Sequence, residues 1–168
     1  MESINEIPPD DPREADLQRY KLTTQMQNGA SWFFWIAGFS LINFLLIVFG
    51  AEINFIVGLG VTTLSAVMFH VVSQNIQGNL ALLANIVCFV VTLAAAGTFI
   101  GLGAVARRGH IWAFCVGMFL YACDGLIFVW LEDWLSVGFH VFALFCLYGG
   151  LTAARQLIQV EPSPAAPA

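Results

Sequence analysis

The sequence predicts an all-α, polytopic membrane helical bundle, with four transmembrane helices preferred and five as the alternative. Three observations carry that reading. Of 168 residues, 59% are hydrophobic and only 10% are charged, too little polarity to cover a water-facing surface around a single core. Uncharged stretches of spanning length run from Leu22 to Ala51, Ile53 to Ala106 and Trp134 to Ala154, and Asp124 alone interrupts Gly109 to Leu131. These runs are continuous, without the period-two alternation of an outer-membrane barrel.

The formal charge is −5, but six of the eleven acids, Glu2, Glu6, Asp10, Asp11, Glu14 and Asp16, lie in the first sixteen residues. Residues 1–30 therefore read as an acidic polar tail, too long and too acidic for a cleaved signal. Within it, Asp11-Pro12 offers an N-cap followed by proline at the first helical position, and Arg13 to Gln27 is expected to form a short helix near the membrane surface. Basic residues beyond Ser31 are limited to Arg107, Arg108 and Arg155, so no basic stripe for nucleic acid exists.

The bundle is expected over 31–155. Its first span lies near 32–50, opened by Trp32 and Trp35 at the depth that indole rings favour. The next 54 uncharged residues, 53 to 106, are divided by the polar cluster Ser73, Gln74, Asn75, Gln77, Gly78, Asn79. Both halves are long enough to cross. If both cross, there are five spans, and Arg107-Arg108 lies opposite Arg13, Arg19 and Lys21. If only 80–105 crosses, all the bases share one side and Glu52, Glu132 and Asp133 share the other, which the positive-inside bias favours. In that arrangement 52–79 is a re-entrant or interfacial hairpin, and its content of Asn54, Gly58, Gly60, Thr62, Thr63, Ser65 and His70 makes it the most polar of the apolar runs. The remaining spans fall near 110–131 and 135–154. Residues 156–168, ending in VEPSPAAPA, read as a disordered tail. Gly97 and Gly101 form a small-xxx-small spacing suited to close helix approach.

Asp124 is the most informative side chain. A carboxylate well inside a spanning helix costs about 2.5 to 3.5 kcal/mol, so it should face protein or water, or hold a proton. Helical spacing puts Gly117, Tyr121 and Phe128 on its face. His140 follows the turn at Asp133 by seven residues, nearly level with Asp124, so the two can share a hydrogen bond or ion pair in an antiparallel hairpin, with Ser136 toward the outer mouth. Asn43, Asn85 and Thr92 are candidates for interior hydrogen bonds, and His70 belongs to the ambiguous hairpin. The intramembrane polar candidates are thus Asp124, His140, Tyr121, Asn43, Asn85 and His70.

No sequence motif specifies an activity. There is no GxSxG, HExxH or Walker loop. The four cysteines fall within apolar runs, without zinc spacing, and His70 and His140 lack the paired spacing of a bis-histidine haem. No cofactor and no catalytic or metal-binding residue is therefore expected. The segment from Gly117 to Phe145 resembles small prokaryotic four-span proteins without indicating a family. The expectation is a non-enzymatic protein of the lipid bilayer, multi-pass in a prokaryotic cytoplasmic membrane with both termini cytoplasmic. It would act through helix contacts, as a homo-oligomer or a subunit beside another membrane protein. The alternative is a small transporter or proton-linked permeation protein built around Asp124 and His140.

Overall fold

The computed structural model describes residues 12–49 and 58–160. Five helices account for nearly all of them: α1 (Pro12–Val48), α2 (Gly60–Asn75), α3 (Asn79–Ala106), α4 (Ile111–Trp130) and α5 (Trp134–Val160). Four of these, α1, α3, α4 and α5, are long and apolar enough to cross a membrane. At 16 residues α2 is not, since its length of about 24 Å falls short of the hydrocarbon thickness.

The outward surface fits such a setting. Phe119, Leu126, Val141 and Phe145 are all more than 60% exposed on α4 and α5, whereas the interior holds small residues and a few large rings. Helices approach closely because glycines permit it. A Cβ on Gly29 would lie 2.4 Å from the Gly150 Cα, so α1 and α5 cross backbone to backbone. A Cβ on Gly117 would overlap the Phe33 ring, at 2.3 Å from its Cε1. Small-residue crossings of this kind maximise dispersion contacts where lipid offers no hydrophobic drive.

Contacts fix the directions. Phe33 meets Phe99 and Phe44 meets Phe89, so α1 and α3 are antiparallel. The α2 helix runs the same way as α1, with Leu59 beside Ser40 and Thr63 beside Asn43. Gly58 also packs on Ser40, which precedes the end of α1 by two turns, or about 12 Å. Thus α2 starts inside the bundle, leaves by the end at which α1 finishes, and turns at Gly78 into α3, where Asn85 donates to the Ser73 hydroxyl at 3.0 Å. Part of the expected hairpin, residues 52–57, lies outside the described residues.

Two expectations need correction. The segment Arg13 to Gln27 is not a separate surface helix: it is continuous with the first span, because Leu22 and Met26 are buried with the core residues of α5. Residues 156–160 are helical, as the last turns of α5, where Leu157 packs against that core. Residues 161–168 lie outside the described residues. Gly97 and Gly101 have no atom near a would-be Cβ and face outward, so any helix that uses their spacing lies outside this chain, and the close contact on α3 within the chain is made by Gly103, against Phe33 and Phe34.

Candidate functional site

The first turn of any helix leaves backbone N–H groups without partners, and inside an apolar bundle each must find one. The sequence before α2, Gly58-Leu59, contains no capping side chain, and Leu59 stands at the N-cap position in extended conformation. The bundle supplies what the segment lacks. Leu59 N–H donates to the Ser40 hydroxyl at 2.8 Å, Gly60 N–H to Asp124 Oδ2 at 2.6 Å, and Val61 N–H to Asp124 Oδ1 at 3.0 Å. The fourth, Thr62 N–H, turns back onto the Leu59 carbonyl at 3.2 Å. Ser40 passes its own proton to the Ile36 carbonyl at 2.7 Å.

Asp124 is therefore a remote N-cap, with each carboxylate oxygen bound to a different amide. In its carboxylate form it also meets the positive end of the α2 dipole. Such an arrangement requires α2 and α4 to touch. Gly60 allows it: a Cβ there would lie 3.1 Å from Ile127 Cβ and 3.2 Å from the Asp124 carbonyl.

His140 completes the cluster from α5. Its Nε2 lies 3.3 Å from Asp124 Oδ2, and its Nδ1 lies 2.9 Å from the Ser136 carbonyl. A carbonyl only accepts, so Nδ1 carries hydrogen. A neutral imidazole then has a bare Nε2, facing a carboxylate oxygen. The contact is a hydrogen bond only when the two share one proton, as an imidazolium–carboxylate pair or as a neutral imidazole with a carboxylic acid. Both forms have zero net charge, which is what makes the burial of both side chains tolerable.

Aromatic rings sandwich the imidazole. Tyr121 stacks on it at 4.3 Å between centroids and 14° between planes, and Phe128 lies at 5.1 Å. Gly125 opens the space, since a Cβ there would approach His140 Cδ2 to 3.0 Å. The Tyr121 hydroxyl is buried and has no hydrogen-bond partner among the described residues, so Tyr121 contributes its ring. Ser136, also buried, donates its hydroxyl to Asp133 Oδ2 at 2.5 Å. Asp133 in turn accepts the Ser136 N–H at 3.2 Å, capping α5 at the α4–α5 turn.

Of the sequence candidates, Asp124, His140 and Tyr121 come together. Asn43 stands beside them, donating to the Thr63 hydroxyl at 3.1 Å and tying α1 to the first turn of α2. His70 and Asn85 do not join. His70 pairs with Gln74 at 2.8 Å ten residues along α2, and Asn85 binds Ser73 within the α2–α3 hairpin. Sequence reasoning missed Ser40, Gly125 and the amides of Gly60 and Val61. The available signal was a helix start at Gly58-Leu59-Gly60 with no local capping residue, which obliges a distant acceptor.

Among the described residues no three histidine, cysteine or acidic side chains are grouped to hold a metal. No protein-family model, curated protein or solved structure matches this chain.

Proposed function

We propose that this chain is a non-enzymatic, multi-pass integral membrane protein that acts through helix–helix contacts, as a self-associating bundle or a membrane-complex subunit. The positive-inside bias supports a topology with both termini cytoplasmic, and the setting proposed is a prokaryotic cytoplasmic membrane. One observation carries the non-enzymatic reading: both oxygens of the buried carboxylate are engaged by the chain's own amides and imidazole. Asp124 thereby anchors a re-entrant half-helix, leaving no oxygen without a partner to meet a substrate. Asp124→Asn and His140→Ala should lower the thermal midpoint in detergent or shift the oligomer distribution. Variants as stable and as assembled as the parent chain would reject this role.

A second reading has its own support. A proton shared by His140 and Asp124 would be exchangeable in kind, and polar groups stand between it and the α4–α5 turn: His140 Nδ1 bonds the Ser136 carbonyl, and the Ser136 hydroxyl donates to Asp133. A proton-linked permeation protein would show pH-dependent uptake in proteoliposomes that His140→Ala alters. Equal proton flux in parent, variant and protein-free vesicles would reject proton movement.

A further inference from the structure

At the end of the bundle opposite the α4–α5 turn, two adjacent arginines do different things. Arg107 is committed to the fold: its Nη2 donates to the Ser31 hydroxyl at 2.9 Å, and its guanidinium lies 4.9 Å above the Phe34 ring. The Arg108 backbone N–H donates to the Val105 carbonyl at 3.0 Å, but its guanidinium has no hydrogen-bond or ion-pair partner among the described residues. It lines a cavity of about 260 Å³ between α1, α5 and the α3–α4 turn, together with Thr23, Met26, Gly109, Ala154 and Leu157.

The location and chemistry of that cavity are informative. Gly109 turns the chain in left-handed conformation, φ +87°, two residues before α4 begins, so the cavity sits where α4 enters the apolar layer. Its inner wall is buried Met26 and Ala154, while Ile158 borders it with 58% of its surface exposed. The Thr23 hydroxyl, like the Arg108 guanidinium, has no partner among the described residues. Further cations lie close by in sequence and on neighbouring turns: Arg19, one turn before Thr23, and Arg155, one turn before Ile158. An unspent guanidinium fork and a hydroxyl at one end, with an apolar wall at the other, suit an anionic phosphate ester attached to hydrocarbon.

The geometry points to a binding site for the headgroup of an anionic phospholipid, its phosphate on Arg108 and Thr23 and its proximal acyl chain along Leu157 and Ile158. This site rests on the membrane reading above and is independent of the role given to Asp124.

The test is native mass spectrometry of the full chain in detergent with equimolar phosphatidylglycerol and phosphatidylcholine. Phosphatidylglycerol should be retained in excess by about fivefold or more, the worth of one basic residue against an anionic lipid. Arg108→Gln should bring the ratio near one, and Arg108→Lys should retain part of the excess. Arg107→Gln should lower the thermal midpoint yet keep the preference. Equal retention of the two lipids by the parent chain, or an unchanged excess in Arg108→Gln, overturns the site. Inorganic phosphate displacing phosphatidylglycerol completely at millimolar concentration would overturn the lipid assignment in favour of a free-phosphate site. Full solubility without detergent would instead overturn the membrane reading itself.

Discussion

Asp124 caps a helix that begins at Gly60, 64 residues earlier in the chain, through a 2.6 Å hydrogen bond from the Gly60 amide to its carboxylate. An ordinary N-cap is part of the turn it closes, and its energetic effect is local. Here the cap belongs to a different helix, so the same bond that satisfies the first turn of α2 also holds α2 against α4. Loss of the carboxylate therefore affects both local and tertiary structure.

The size of that loss should depend on what replaces it. Asp124→Asn retains one oxygen able to accept a single amide and should cost about 1–3 kcal/mol, as for a lost charged hydrogen bond. Asp124→Ala strands two buried amides and should cost roughly twice as much. Denaturant or thermal unfolding in detergent would measure the difference. An alanine variant no worse than the asparagine one would contradict the capping role.

Glycine positions provide a sharper contrast. Gly125→Ala would place a methyl 3.0 Å from the His140 ring and displace it from Asp124, at a cost of about 1–3 kcal/mol for overpacking. Gly138→Ala, on the helix that carries His140, meets nothing within 4 Å. It should be neutral, or stabilising by up to about 1 kcal/mol through helix propensity. Thermal midpoints of the two purified variants decide this, and equal losses would show that the packing around His140 is not the controlling feature.

Tyr121 separates ring from hydroxyl. Because the buried hydroxyl has no partner among the described residues, Tyr121→Phe should leave stability unchanged or raise it by about 1 kcal/mol. Tyr121→Leu removes the 4.3 Å stack on His140 and should be destabilising by at least that amount. A marked loss in the phenylalanine variant would reveal a hydrogen bond made by the phenol.

The number of crossings has a direct readout. In a background without Cys88, Cys115, Cys123 and Cys146, single cysteines at Tyr20 and Gly109 should react with an impermeant reagent from the same face. A cysteine at Gln77 should react from the opposite one. A fifth crossing would put Tyr20 and Gly109 on opposite faces. Tyr20 is 72% exposed, which suits it to labelling.

Much of this fold is legible in the linear chain because the bilayer imposes a one-dimensional rule: an apolar run must be long enough to cross. That rule locates the spans near 110–131 and 135–154 from length alone, whereas the 54 uncharged residues 53–106 are long enough for one crossing or two, and the positive-inside bias is what favours a single span near 80–105. The rule does not detect where a helix continues past the apolar layer. Leu22 and Met26 are spaced to meet α5, and that contact, absent from any local pattern, extends α1 back to Pro12. Helical periodicity likewise brings Tyr121 and Asp124 to one face, and counting from the turn brings His140 level with them, since both are local regularities.

The sequence by itself determined the class of molecule and an expected depth for the acid and imidazole, because hydropathy and helical rise act residue by residue; it left four or five crossings open, and the structure shows four helices long and apolar enough to cross. Only the tertiary structure decided what the acid does. The amides of Gly60 and Val61 are identical in kind to every other amide in the chain, and they become partners of Asp124 only when Gly60 lets α2 dock against α4. The same holds for Arg107 and Arg108, neighbours of equal charge: packing binds one to Ser31 and leaves the other facing a cavity.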